Sequence, residues 1–321
     1  MHLSVETLFL LISVPIYIVF IGAEILMSNW GDRKVYTVKG VLQNIYLTLM
    51  NAGLDLFLRW AFYVSVLMWA YNHHFFKIEN AFLYWLLLFI LEDLAFYLEH
   101  RVDHYCRIFW AVHLTHHSSE EFNLTTGFRS SVLQPVYRFV YFLPIALMGF
   151  EPLDIVFMYS ITQTYGILVH TQYIKKMPAW FEAVFVTPAH HRVHHASNIR
   201  YLDKNMGMCL IIWDRMFGTF QDEVAEDPIK YGLTKPLKNA HNPINHVTHE
   251  WKSIAKDMKK DLPLAVRIKY LLKPPGWSHD GSTKTASELR KELNQHTVVE
   301  HEKRIRPLKA DSYPVAGNIT L

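Results

Sequence analysis

Three histidine clusters carry the chemistry of this chain. His100-Arg101-Val102-Asp103-His104 places two imidazoles one helical turn apart, on one face of a helix. His113-Leu114-Thr115-His116-His117 places three at i, i+3 and i+4, and His191-Arg192-Val193-His194-His195 repeats that spacing. With such spacing one helix can offer two or three ring nitrogens to a metal without distortion. Several helices must then converge to bring the nitrogens within about 2.0–2.1 Å of an ion. His170 stands alone between the second and third clusters and is read with them as a ligand; His190, beside the third, is read as a spare. Eight or nine such histidines exceed the needs of one four-coordinate ion, so the pattern implies two metals. Imidazole suits zinc, copper, iron and nickel. His2, His73, His74 and His279 have no partner at helical spacing and are read as ordinary polar residues.

Long apolar runs must position these clusters. Val5 to Met27 is long enough to cross about 30 Å of hydrocarbon as a helix. It lacks a basic n-region and a small-residue cleavage site, so it reads as an anchor rather than a signal peptide. Ala81 to Tyr97 forms a run interrupted only by Glu92 and Asp93, and the stripe Asp93, Tyr97, His100, His104 lies along one side of it. Val136–Phe150 and Leu153–Val169, separated by Glu151-Pro152, read as a helical hairpin that ends at His170. In Val41 to Tyr71, Asp55 and Arg59 lie at i,i+4. They are either an ion pair inside one tilted span or the join between an interfacial helix and a span. Glu24, in the first run, is either a functional intramembrane carboxylate or a residue snorkelling at the span end. The fold expected is all-α, an integral membrane helical bundle of about four to five spans.

Orientation follows from lysine and arginine in the flanking loops. Arg33, Lys34 and Lys39 follow the first run, whereas residues 1–4 carry neither type. That puts Met1 outside, and counting onward brings every clustered histidine to the cytoplasmic side as a di-metal cap. Residues 1–220 form the membrane-embedded oxidase domain, and 221–321 a polar cytoplasmic tail. Within that tail Lys252 to Lys273 has helical spacing, suited to a bilayer surface or to solvent, and beyond Pro274-Pro275-Gly276 a poorly ordered end is expected.

Bulk composition excludes several classes. Net charge is +3 over 321 residues, so nothing marks a nucleic-acid binder. Cys106 and Cys209 are the only cysteines, with no CxxC, which specifies no disulfide framework or cluster site. No GxGxxG is present, so electrons must come from outside. Asp93, Glu99, Glu120 and Asn123 are the candidates to hold imidazole N–H groups in place, a role that carboxylates commonly fill beside ligating histidines. Iron is favoured among the metals because a lipid chain in a membrane offers little to hydrolyse and many C–H bonds to oxidise.

These boxes, in this order and on these spans, resemble the fatty acid hydroxylase/sterol desaturase superfamily from about Asn80 to Pro236. The nearer similarity is to its alkylglycerol monooxygenase branch. It is carried by His113-Leu-Thr-His-His-Ser-Ser-Glu120 with Asn123-Leu-Thr125, Thr187-Pro-Ala-His-His-Arg-Val-His-His195, Asp203-Lys-Asn205, Trp213-Asp-Arg-Met-Phe-Gly-Thr-Phe220 and Tyr231-Gly-Leu-Thr-Lys-Pro236. The resemblance implies a di-iron site on His100, His104, His113, His116, His117, His191, His194 and His195. Some members have a further i,i+4 histidine pair, of which His170 matches one and Gly166 stands at the other. It also implies O2 as co-substrate, with tetrahydrobiopterin or a ferredoxin- or cytochrome-type donor as reductant. The substrate implied is a lipid: an alkylglycerol ether, or the sterol or fatty-acyl chain of a hydroxylase or desaturase. The rival classes are a zinc metallohydrolase, since His100 to His104 resembles an inverted zincin with Asp103 for Glu, and a metal transporter. The first leaves six histidines unexplained. The second requires a site within the bilayer rather than at one end of the spans.

Overall fold

The computed structural model describes residues 5–31, 33–238 and 242–305. The helices in chain order are α1 (Val5–Trp30), α2 (Val38–Leu58), α3 (Val64–Tyr71), α4 (Ala81–Tyr105), α5 (Arg107–His117), α6 (Leu124–Gly127), α7 (Pro135–Leu147), α8 (Pro152–Leu168), α9 (Ala179–Val184), α10 (Pro188–His194), α11 (Ile212–Phe217), α12 (Pro243–Met258), α13 (Leu264–Leu272) and α14 (Ala286–Ile305). Among the described residues no strand occurs, only the isolated bridges Phe185–Leu210 and Ala196–Tyr231. The chain is therefore all-helical, as its patterning predicts.

Local chemistry sets the helix starts. Thr37 and Asn80 cap α2 and α4 by accepting from the amides of Gly40 and Leu83. Pro135 and Pro152 open α7 and α8, where a missing N–H costs nothing. A π-turn over Arg59–Tyr63 joins α2 to α3, so Val38 to Tyr71 is one continuous helical rod. Asp55 and Arg59 form an ion pair of 2.6 Å on it.

Among the described residues, three helical segments are long and apolar enough to cross a bilayer: Leu11–Trp30, Val38–Leu58 and Ala81–Tyr105. The two helices of the expected hairpin, α7 and α8, are present but shorter. Large apolar side chains stand exposed along α1 and α2, among them Ile18, Val19, Leu49 and Phe57. Such contiguous apolar exposure is the surface of a membrane protein rather than of a soluble one.

The bundle has two ends. At one, the loop after α3 meets the α7–α8 turn, where the Phe75 amide donates to the Leu147 carbonyl. Below it lies a core of Leu67, Leu88, Phe142, Ile145, Phe150 and Ile155. At the other end, α4 runs into α5 and α8 runs into His170, with α6 and α10 packed between. Glu24 joins this end: it is buried and accepts from the Tyr36 hydroxyl, the Leu124 amide and the Thr171 hydroxyl. Glu24 is thus a clamp between α1 and the cap, which corrects the snorkelling reading.

Past residue 220, α12 lies against α5. Arg107 donates to Glu250 and Asp257, both at 2.6 Å, and to the Ser253 hydroxyl. The poorly ordered end expected after Gly276 is corrected over its first part. Tyr270 and His279 are hydrogen-bonded at 2.8 Å, α14 follows, and Arg290 donates to the Leu202 carbonyl. Residues 306–321 lie outside the described residues, as do residues 1–4, on which the orientation argument draws.

Candidate metal centre

All nine predicted histidines meet at the cap end, in two groups. His100, His104, His113, His117 and His194 form the first, and His116, His170, His191 and His195 the second. Within each group one ligand atom per ring lies within 4.8 Å of every other. The repeated His-x-x-His-His spacing explains the division. On α5 the i,i+4 pair His113 and His117 faces one group while His116 faces the other. On α10 the i,i+4 pair His191 and His195 joins the second group and His194 crosses to the first. The groups adjoin: the His117 and His195 rings stack with centroids 4.5 Å apart, and the His113 and His116 rings, one from each group, are 5.4 Å apart.

The nitrogen spacings suit metal ligation. Two imidazoles on one ion at about 2.0–2.1 Å lie roughly 2.9–3.4 Å apart in octahedral or tetrahedral coordination. The Nε2 atoms of His100 and His113 are 3.0 Å apart, and those of His113 and His117 3.2 Å. In the second group the His170 Nε2 is 3.1 Å from that of His195 and 2.9 Å from that of His191. Nδ1 of His104 and of His194 is each turned to an oxygen, leaving Nε2 as a bare lone pair. Both Nε2 atoms are buried without a hydrogen-bond partner. Orphaned buried acceptors are uncommon and ask for a partner, which a cation supplies. Burial first, then the neighbouring rings, holds the pKa of His191, His194 and His195 well below the ordinary imidazole value, and burial brings that of His116 down to about 4. The rings are therefore neutral at pH 7, the form that ligates.

One loop orients three rings of the first group. Asp203 Oδ1 stands 3.2 Å from His104 Nδ1, the Lys204 carbonyl accepts from His194 Nδ1 at 2.9 Å, and the Met206 carbonyl accepts from His100 Nδ1 at 2.8 Å. Asp203 and Asn205 both adopt φ of 53°, a conformation that Asp and Asn tolerate better than most residues. Asp214 holds the loop by accepting from the Met206 and Gly207 amides, and the Asn205 amide group donates to the His190 and Gln221 carbonyls. In the second group, carbonyls of Arg129 and Gly166 fix His116 and His170, at 2.9 and 2.7 Å.

These contacts correct the expected orienting residues. Asp93 touches no imidazole; it accepts from the Cys209 and Leu210 amides and the Trp213 indole, anchoring the segment after the loop. Glu120 is exposed. Asn123 caps α6 and donates to the Val35 carbonyl. Glu99 accepts from Gln134 and Arg138 instead. The carboxylates that do face imidazoles are Asp203 and, 3.5 Å from His113 Nδ1, Asp103. Asp103 stands inside the first box, one position before His104, where its place in the sequence marks it only as the Glu equivalent of an inverted zincin and not as an orienting carboxylate. His190 belongs to neither group, and its Nδ1 accepts from the Thr187 amide.

A cavity of about 250 Å³ opens on the histidines, its wall including His100, His113, His116, His170 and His191. It extends between α2, α4, α7 and α8. Behind the second group the fully buried Phe122 stacks on His170, with centroids 5.4 Å apart, and on Tyr231, at 5.0 Å. Met208 fills the space that a side chain at position 166 would need: a Cβ on Gly166 would lie 2.2 Å from the Met208 sulfur.

Residues 85–219 match the family model described as fatty acid hydroxylase. Alkylglycerol monooxygenase of Danio rerio is 38% identical over 201 residues, 60% of this chain and 44% of that protein. Its Homo sapiens counterpart is 37% identical over 197 residues, covering 60% and 42%. The ornithine lipid hydroxylase of Rhizobium tropici is 24% identical over 168 residues, covering 51% and 50%. The chain spans less than half the length of either alkylglycerol monooxygenase. No solved structure matches it. Both histidine groups lie within the segment, residues 85–219, that matches the fatty acid hydroxylase family model, and the chain is similar over 60% of its length to the alkylglycerol monooxygenases.

Proposed function

We propose that the chain is a membrane-bound di-iron monooxygenase that hydroxylates a lipid, with an ether-bearing lipid as the preferred class. The observation that carries the reading is the division of nine histidines, eight of them buried and His116 half-buried, into two adjoining groups at the end of a cavity between apolar helices. One ion would be held by His100, His104, His113, His117 and His194, the other by His116, His170, His191 and His195. When bound, an iron pair supplies O2 activation at the expense of two external electrons. The protein does the rest. The Asp203–Met206 loop keeps three rings in the tautomer that ligates, and Phe122 with Tyr231 excludes water behind the second group. The cavity brings a lipid carbon to the histidine end.

Oxygen balance is simple. One atom of O2 enters the C–H bond and the other leaves as water with two protons and two electrons. If the carbon bears an ether oxygen, its hydroxylated form is a hemiacetal, which collapses to an aldehyde and an alcohol. No dinucleotide or cluster motif is present, so a tetrahydropterin or a redox protein would bring the electrons.

The histidine cap would face the cytoplasm, with Met1 outside, four to five spans crossing the bilayer, a membrane-embedded domain over residues 1–220 and a polar cytoplasmic tail over 221–321. Arg33, Lys34 and Lys39, just after the first apolar run, support this orientation. The test is metal analysis with O2 consumption on purified protein, across alkylglycerols, sterols and fatty-acyl lipids with a reduced pterin or ferredoxin. Close to two irons per chain and lipid-dependent O2 uptake are expected. One ion per chain, or hydrolysis without O2, overturns the reading.

A further inference from the structure

Helix α13 carries an apolar stripe that the described residues leave open. Leu264, Ile268 and Leu272 lie at i, i+4 and i+8, on one face, and are 61%, 41% and 58% exposed. The opposite face is fixed. Tyr270 is buried there, its ring against Trp277 with centroids 5.2 Å apart and its hydroxyl 2.8 Å from His279 Nδ1. Basic residues flank the stripe on both sides, Lys269 and Lys273 on one and Arg267 on the other. Lys269 and Lys273 are exposed and form no ion pair among the described residues. Exposed Lys252, Lys256 and Lys259 add positive charge from α12. Asp257 is taken up by Arg107 and Lys260, at 2.6 and 2.8 Å, which leaves Asp261 as the exposed acid of residues 252–273.

The place of α13 in the fold identifies what covers the stripe. The Arg107 amide donates to the Lys273 carbonyl at 3.1 Å, and the Cys106 thiol to the Leu271 carbonyl at 3.7 Å. The end of α13 is thereby pinned where α4 passes into α5. With 25 residues α4 is about 37 Å long, against about 30 Å of hydrocarbon, so its last turns emerge into the headgroup layer. A helix at that depth, with an apolar stripe edged by basic residues, suits the plane of a bilayer: the stripe meets acyl chains and the lysines meet phosphates. We propose that α13 is an in-plane membrane helix, its stripe covered by an anionic leaflet, and that it holds the start of α5, and with it the histidine cap, at the bilayer surface. The lysines give the preference for anionic over neutral headgroups. The inference does not depend on the chemistry at the histidines.

The experiment uses the full-length protein in lipid nanodiscs, with Cys106→Ser so that the remaining native thiol is the buried Cys209. A nitroxide is attached at Ile268→Cys and, as an aqueous reference, at the exposed Lys291→Cys on α14. Power-saturation EPR then reads collisions with O2, which concentrates in acyl chains, and with neutral nickel ethylenediaminediacetate, which stays in water. In discs containing phosphatidylglycerol the label at 268 should meet O2 more than nickel, and nickel about tenfold less than the label at 291 does. In phosphatidylcholine alone its exposure to nickel should rise about fivefold or more. Lys269→Gln with Lys273→Gln should do the same in the anionic discs, since each lysine near such a surface is worth about fivefold. If that double variant fails to fold, the lipid comparison decides with the lysines intact. A label at 268 as open to nickel as that at 291 in anionic discs puts the stripe in water. Shielding from both reagents means that protein, such as a second copy, covers it. Equal shielding in both lipids means that the lysines select nothing. Each of these three results overturns the proposal.

Discussion

Asp203 gives a direct test of how the first group is held. Its carboxylate stands 3.2 Å from His104 Nδ1 and is itself mostly buried, at 18% exposure. Loss of an oriented partner behind a ligating histidine typically costs about 10–100-fold in metal affinity, or about 1.4–2.7 kcal/mol. The backbone here has φ of 53°, so alanine would add strain that confuses the result. Two variants avoid this. Asp203→Asn keeps an acceptor and tolerates positive φ but removes the charge, so a loss of a few-fold is expected. Asp203→Gly removes the acceptor at no conformational penalty in the folded loop, so about 10–100-fold is expected. The assay is competition of the loaded protein against a graded series of chelators, with both ions followed. Only the ion on His100, His104, His113, His117 and His194 should be lost more readily. Equal weakening of both ions, or none in Asp203→Gly, would refute the argument that this loop orients one group and not the other.

Four further outcomes follow. Replacing His104, His117 or His194 by alanine should reduce O2 uptake to background while the chain still inserts; substantial turnover in His117→Ala would break the ligand assignment. His279→Ala, remote from both groups and bonded only to Tyr270, should leave uptake near native. Asp93→Ala removes the acceptor of three buried donors, so it should lower thermal stability by several kcal/mol, at about 1.5–3 kcal/mol for each hydrogen bond to a charged group. A native melting temperature would return Asp93 to a passive role. Single cysteines at Phe75 and Glu151 should be labelled from outside and one at Arg200 should not; labelling at 151 and 200 together would dismantle the hairpin that delivers His170.

The histidines were legible in the sequence because helical periodicity is a local property. Spacings of three and four residues place rings on one face wherever the helix goes, and that is enough to name eight candidates and to ask for two ions, while His170 was named from its place at the end of the hairpin. The long apolar runs were legible for the same reason, since a span depends on length and composition rather than on neighbours. What periodicity cannot say is which rings share an ion. That division, with His116 set apart from His113 and His117, and His194 from His191 and His195, exists only once α4, α5, α8 and α10 are packed together. The orienting groups were hidden more deeply. Asp203, Lys204 and Met206 lie about a hundred residues from two of the rings they hold, two of the three act through backbone carbonyls that any residue type carries, and the turn presenting them depends on positive φ at two non-glycine positions. Asp93, by contrast, lies on the same helical stripe as His100 and looked like their partner. Tertiary structure gave it to the amides of Cys209 and Leu210 instead, because a buried carboxylate goes to whichever donors the fold brings within reach.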